Sequence, residues 1–233
     1  MYVFGRNVAK DLMVHPEKIK KVFLQEGFND KELISSLENA KIEYNYRPKH
    51  EMDRLANGVH QGIILDIPDY KYHNLDTILK SNQDDVVVIL DHLEDPHNFG
   101  AIIRTCEAAG IHSIIISKDR QVQVNATVMK TSVGTVDQMN IVEVSNIANS
   151  IDQLKDAGYW IVGTALENSV DYRSVDYSGK IALVIGNEGS GISNLVSRKC
   201  DFLVKIPMYG TTNSLNASVA TGIMIYEVIR NRK

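Results

Sequence analysis

Residues 86–117 read VVVILDHLEDPHNFGAIIRTCEAAGIHSIIIS, and the order of their parts decides the fold. Val86 to Leu90 is an unbroken apolar run, the composition of a parallel strand covered on both faces. A polar loop follows in which Asp95-Pro96 sets a turn. Phe99 to Ala109 then reads as a helix, with Asn98 as its cap and Gly110 as its stop. Ile111 to Ser117 is a second apolar strand.

The alternation continues toward the C-terminus. It predicts a helix at Asn125–Val133, a strand at Met139–Val144, and a helix at Ile147–Ala157 closed by Gly158. Further strands are expected at Tyr159–Thr164, Ile181–Ile185 and Phe202–Ile206. Strands alternating with helices make a parallel sheet covered on both faces, whose ligands bind beyond the carboxyl ends of the strands. The last helix carries Val219, Ala220, Ile223, Met224, Ile225, Val228 and Ile229, apolar nearly all round, and so belongs against a core or a partner subunit.

Toward the N-terminus, Ile67 to Asp85 is polar and reads as a linker with one helical turn. Residues 1–66 read as a small α/β unit. Its expected parts are a helix at Tyr2–Leu12, strands at Lys20–Leu24, Ile42–Tyr46 and Gly62–Leu65, and a helix at Asp30–Ala40 capped by Asn29. The fold class is therefore α/β, with domains at 1–68 and 85–233 joined by a linker at 69–84.

A chain of 233 residues with 44% hydrophobic content can build a proper core. Its net charge of −4 gives no global attraction to nucleic acid, so any such surface must be local. The early cluster Arg6, Lys10, Lys18, Lys20 and Lys21 is either a phosphate-contacting face or solvated surface. Cys106 and Cys200 lie in no CxxC pattern, which argues against a disulfide framework or a zinc site and for reduced thiols in a cytoplasmic protein. We expect no metal, no signal peptide and no bilayer-spanning segment.

Three loops leave strand ends with unusual residues. In the first, Arg104 lies four positions after Gly100 on a helix otherwise small and apolar, so it must reach a surface or an anionic partner. His92 and His97, in the same loop, read as surface or supporting residues. The second, VIGNEGSGIS, lacks the lysine of a P-loop and the GxGxxG of a dinucleotide site, and Glu188 would repel phosphate. It suits a polar or cationic ligand. The third has Gly210, Asn213, Ser214 and Asn216, able to cap a helix or to present hydrogen bonds.

Together the loops resemble the signature of the SpoU, or TrmH-like, RNA ribose methyltransferases of the SPOUT superfamily. The matching segments are DPHNFGAIIRT (95–105), IGNEGSG (185–191), IPMYG (206–210) and SLNASVA (214–220), departing only at Ala217, where valine is usual. The match covers about Val86 to Lys233. Gly5-Arg6-Asn7 and His60-Gln61-Gly62 look like the ribosomal-protein-like RNA-binding extension of the RlmB branch, which methylates a guanosine of 23S rRNA.

The resemblance implies a C-terminal deep trefoil knot, a bent S-adenosylmethionine held in it, an obligate homodimer and an RNA substrate. Thr164, Gly186, Ile206 and Leu215 would line the cofactor, and Asn98, Arg104, Glu188, Ser214 and Asn216 would form the catalytic set. Arg6, Lys10, Lys20 and Lys21 would contact RNA. A guanidinium stays protonated in proteins, so Arg104 is expected to orient the target phosphate and stabilise the developing alkoxide, with Glu188 and Asn98 ordering it. Rival readings are a tRNA 2′-O-methyltransferase and a non-catalytic ribosome-assembly RNA-binding protein; a nicotinamide oxidoreductase lacks its glycine fingerprint.

Overall fold

The computed structural model describes residues 1–56, 58–81 and 84–232. Asn82 and Gln83, in the expected linker, and Lys233, at the end of the expected second domain, lie outside the described residues. The chain forms two compact units: residues 1–71 with 124–134, and 72–123 with the remainder from Thr135. The second unit is thus not one continuous stretch from residue 85, because the excursion 124–134 leaves it to pack with the first.

In the first unit the order is β1 (Tyr2–Phe4), α1 (Arg6–Leu12), β2 (Lys21–Gln25), α2 (Lys31–Asn39), β3 (Tyr44–Arg47), α3 (Lys49–Leu55) and β4 (Ile63–Asp66). The sheet order is β1-β4-β2-β3, with β4 antiparallel to both of its neighbours and β2 parallel to β3. The expected helix from Tyr2 is instead a strand followed by a helix. Gly5, at φ 104°, cannot continue a helix and turns the chain between them. Asp30, not Asn29, caps α2, its carboxylate accepting the Leu33 N–H at 3.2 Å. On one sheet face Val3, Val22, Leu24 and Leu65 pack with Leu33 and Leu37, joined by Ala126 and Met129 of the excursion. On the other face Phe23 and Ile64 pack under Met52 of α3, a helix the sequence reading missed.

The second unit runs α4 (Asp76–Leu79), β5 (Val86–Asp91), α5 (Pro96–Ala108) and β6 (Ser113–Ser117). After α6 (Ala126–Thr131), the helix lent to the first unit, come β7 (Asn140–Val144), α7 (Ile147–Asp156) and β8 (Tyr159–Thr164). Then follow β9 (Val170–Asp171), β10 (Lys180–Gly186), α8 (Asn194–Ser197), β11 (Phe202–Lys205) and α9 (Ala217–Arg230). The seven strands lie in the order β7-β6-β5-β10-β8-β11-β9, every pairing parallel.

The apolar runs that read as doubly covered strands are so: Val87, Val88, Ile89 and Leu90 are fully buried, as are Ile181 to Val184. The helix α5 begins earlier than expected. Asp95 rather than Asn98 caps it, accepting the N–H groups of His97 at 3.1 Å and Asn98 at 3.3 Å. Late β10 sits between early β5 and β8, with Gly186 opposite Asp91 and Val184 opposite Gly163. This non-sequential order brings the loops after β5, β10 and β11 to one edge of the sheet, where α5 packs beside α9.

Candidate active site

Glu188 is where the three loops meet. It stands at the tip of the turn after β10, exposed. Its Oε1 accepts a hydrogen bond from Asn98 Nδ2, one turn into α5, and another at 3.3 Å from Asn216 Nδ2, at the start of α9. Asn98 is 5% exposed, so its amide is aimed at Glu188 from a buried position. Asn216 is also the cap of α9: its Oδ1 accepts the N–H groups of Ser218 at 3.0 Å and Val219 at 3.3 Å. One asparagine thus uses its oxygen to start a helix and its nitrogen to hold the carboxylate.

The turn bearing Glu188 is locked from below. Asn187 pairs its backbone with Gly191, at 3.1 and 2.9 Å, and its Oδ1 accepts the Gly189 N–H at 2.9 Å. Its Nδ2 donates to the His92 carbonyl at 3.0 Å, tying the second loop to the first. Asp91, buried at the end of β5, adds a second tie: Oδ2 accepts the Ser193 N–H at 2.6 Å, while Oδ1 lies 2.6 Å from His92 Nδ1. Sequence reasoning missed Asp91 and Asn187. Their only signal was a polar residue at the end of an apolar strand. Gly186 lets the turn close: a Cβ there would stand 2.2 Å from the Gly191 carbonyl carbon.

Arg104 and Ser214 take no part in this hydrogen-bonded cluster among the described residues. Arg104 is exposed on α5, about 9 Å along the helix axis from Asn98, and makes no ion pair among the described residues. Among the described residues no hydrogen bond or ion pair joins Arg104 to Glu188 or Asn98, and the carboxylate is held by two amides. Ser214 is exposed and makes no hydrogen bond among the described residues.

Three of the four cofactor candidates lie at the carboxyl ends of adjacent strands, and the fourth precedes α9. Thr164 ends β8, its hydroxyl donating to the Val184 carbonyl at 3.2 Å, and lies opposite Val204 of β11. Gly186 ends β10, Ile206 follows β11, and Leu215 directly precedes the α9 cap. Ile206 and Leu215 are half-buried, so each offers apolar surface at this edge beside the strand-end backbone groups. Such a pairing fits a flat aromatic ring with a polar rim, and hence a nucleoside-bearing cofactor.

The predicted basic cluster is divided. Arg6 ion-pairs with Asp30 at 3.6 Å, and Lys10 with Glu32 at 2.7 Å. Lys21 opens β2, about 13 Å along that strand from Gln25 at its other end, and Lys20 directly precedes it. Neither thiol belongs to the site: burial pushes the Cys106 thiol far up and that of Cys200 up to about 12. Among the described residues no helix is long and apolar enough to cross a membrane, and no group of His, Cys, Asp or Glu could hold a metal ion.

A parallel sheet with three tied loops at its carboxyl edge defines a class, and comparison with known proteins gives that class its family. Residues 85–226 match the SpoU rRNA methylase family, and residues 2–73 match the RNA 2′-O ribose methyltransferase substrate-binding family. A Staphylococcus aureus (strain MSSA476) chain, named for the TrmH family of tRNA/rRNA methyltransferases, is 44% identical over 99% of this chain and 96% of its own. Among solved structures, the SpoU methyltransferase AviRb from Streptomyces viridochromogenes, in complex with the cofactor AdoMet, aligns with a TM-score of 0.77 at 26% identity, covering 100% of this chain and 90% of that one. An AdoMet-bound rRNA methyltransferase from Sinorhizobium meliloti aligns at 0.75 and 27% identity, covering 98% and 86%. A TrmH/SpoU tRNA modifying enzyme from A. aeolicus, 37% identical with a TM-score of 0.60, covers 68% of this chain and 80% of its own. The chain belongs to the SpoU rRNA methylase family, a class of RNA methyltransferases.

Proposed function

We propose that this chain transfers a methyl group from S-adenosylmethionine to the 2′-hydroxyl of a ribose in RNA, and that the target is a guanosine of 23S rRNA. The observation that carries this reading is the double clasp of Glu188 Oε1 by Asn98 and Asn216, which ties three loops of distant sequence to one carboxylate. S-adenosylmethionine supplies a sulfonium methyl already activated for transfer. What the chain must add is placement of the ribose oxygen and compensation of charge as that oxygen loses its proton.

The roles divide by position. Thr164, Gly186, Ile206 and Leu215 hold the cofactor at the strand ends, largely through backbone and apolar surface. Exposed Arg104, without a partner among the described residues, is a cation available to the RNA: it orients the target phosphate and stabilises the forming alkoxide through its fork of donors. The second oxygen of Glu188 is without a partner among the described residues and is available to order Arg104 once RNA is bound. Ser214 adds an exposed hydroxyl donor on the loop that leads into α9.

We further infer a homodimer with the C-terminal segment tied in a trefoil knot, working in the cytoplasm. Support for the dimer is α9 itself. Ala217, Thr221, Met224, Ile225 and Val228 form its buried stripe, while Val219 and Tyr226, on the opposite stripe, are 51% and 55% exposed. Such an apolar face suits a second copy. Arg6, Lys10, Lys20 and Lys21 serve as phosphate contacts, Lys10 after release from Glu32.

A tRNA substrate is the second reading, favoured by the A. aeolicus relative. That enzyme covers only 68% of this chain, whereas the S. meliloti rRNA enzyme covers 98%, which favours rRNA. Parallel methylation of 23S rRNA and of tRNA by the purified chain separates the two. Arg104→Lys keeps the charge and loses the fork; turnover should fall at least about tenfold with S-adenosylmethionine affinity unchanged. Near-full turnover in that variant would remove the bidentate role.

A further inference from the structure

The first unit carries an open basin of about 770 Å³, formed by the start of α1 and the loops after β2, β3 and α3. We propose that this basin holds one unpaired nucleotide of the RNA, with its phosphate against Arg6 and Lys49 and its base edge against the carboxamides of Gln25 and Asn29. The inference rests on the reading of the chain as an RNA methyltransferase and adds where, and in what form, the RNA is gripped.

The basin is built rather than incidental. Gln61, at φ 52°, turns the chain so that its carbonyl accepts from Arg6 Nε at 3.4 Å and its Oε1 from the Arg6 backbone N–H at 2.9 Å. The Arg6 guanidinium lies 5.1 Å above the centroid of the Phe28 ring and 3.6 Å from Asp30. It is thereby held in one plane, and a guanidinium plane is a surface on which an unstacked base can rest. Gly62 allows this wall to close, because a Cβ there would meet Phe28 at 2.8 Å. Both nitrogens of His60, 6% exposed, are used by the wall: Nδ1 accepts the Gly62 N–H at 3.0 Å, which leaves Nε2 to donate to Asp53 at 3.0 Å. Asp53, the carboxylate of the lining, is thereby engaged.

What remains for a ligand is specific. Gln25, Asn29 and Lys49 all line the basin, and their side chains make no hydrogen bond or ion pair among the described residues. Carboxamides carry a donor and an acceptor side by side, the pattern that reads a base edge, and cations match phosphate. The volume falls in the range of small-ligand sites and is far more than a lone phosphate needs. An unpaired nucleotide uses all of these at once: plane, amides and charge.

The test uses the full chain and 4-thiouridine-containing transcripts of 23S rRNA and of a tRNA. Filter binding is measured at several salt concentrations, followed by ultraviolet crosslinking and peptide mass spectrometry. Crosslinks should fall on the peptides holding Gln25–Asn29 or Val59–Gly62. Asn29→Ala should weaken RNA binding about tenfold with its salt dependence unchanged, and Lys49→Ala should weaken it while lowering the log–log salt slope by about one. Both positions are exposed, and thermal melts together with S-adenosylmethionine calorimetry should match wild type. Wild-type RNA affinity in Asn29→Ala, or crosslinks confined to other peptides while methylation proceeds, would overturn the basin assignment alone. A wild-type chain that binds S-adenosylmethionine but no RNA would overturn this inference and the RNA reading together.

Discussion

Glu188 gathers two amide donors on one oxygen, and that arrangement separates shape from charge. A glutamine at this position retains one carbonyl able to accept from both Asn98 and Asn216, so the clasp can persist while the negative charge is lost. Glu188→Gln should therefore melt within about 2 °C of wild type, yet transfer methyl groups at least about tenfold more slowly, as a charge that must order a cation during the reaction requires. Equal rates would mean that the carboxylate serves the loops and not the chemistry. Gly186 makes the opposite case, a residue defined by what it lacks. Since a Cβ at Gly186 would overlap the backbone of Gly191 and Ile192, Gly186→Ala should displace the whole turn and abolish S-adenosylmethionine binding in calorimetry. Unchanged affinity would place the cofactor elsewhere.

The start of α9 joins folding to function. Aspartate caps a helix as well as asparagine does, and its charge suits the positive end of the helix dipole. Asn216→Asp should leave the thermal midpoint within a few degrees of wild type while removing the amide donor and setting a carboxylate beside Glu188, so that methyl transfer collapses. A variant that unfolds and loses activity in proportion would instead make Asn216 a purely structural cap. Caps also show how far this molecule could be read from its residues. The spacing of apolar positions located α2 and α5, but not their first residues. Aspartate and asparagine cap equally well, and in both Asn29-Asp30 and Asp95-Pro96-His97-Asn98 the aspartate holds the role. At Tyr2 to Leu12 a helical pattern hid a glycine whose positive φ splits strand from helix. The three loops were legible because they break their surroundings: glycines and polar side chains at the ends of wholly apolar strands. Asp91 and Asn187 were not, because their partners lie 102 and 95 positions away along the chain.

At the scale of the whole molecule, sheet order builds the clasp: β10 inserted beside β5 sets residue 188 near residue 98, and Asn216 at the start of α9 closes on the same carboxylate. The same packing buries the Cys106 thiol and half-buries that of Cys200. With burial raising Cys106 and taking Cys200 up to about 12, neither should react with a disulfide reagent at pH 8 until the chain unfolds, and fast native labelling of two thiols would contradict the packing. Acid should act on carboxylates held below their ordinary range. Arg173 beside Asp171 takes its carboxyl down from 3.8 to about 2, and Arg230 lowers Glu227 from 4.5. Both are depressed in the fold, so their stabilisation is present above the unfolded values and is lost as pH falls from those values through the lower folded ones. The urea midpoint should thus be level from pH 8 to about 6 and decline below about pH 4.5; a decline beginning near neutrality would point to other groups. The account as a whole turns on ribose methylation, and one assay addresses it directly. Purified chain is incubated with radiolabelled S-adenosylmethionine and a 23S rRNA transcript, and the labelled position is mapped and its nucleoside identified. The account predicts label on a single ribose 2′-oxygen, incorporated at least about tenfold more slowly with Glu188→Gln; label on a base nitrogen or carbon, or none from a chain that binds both partners, would contradict it.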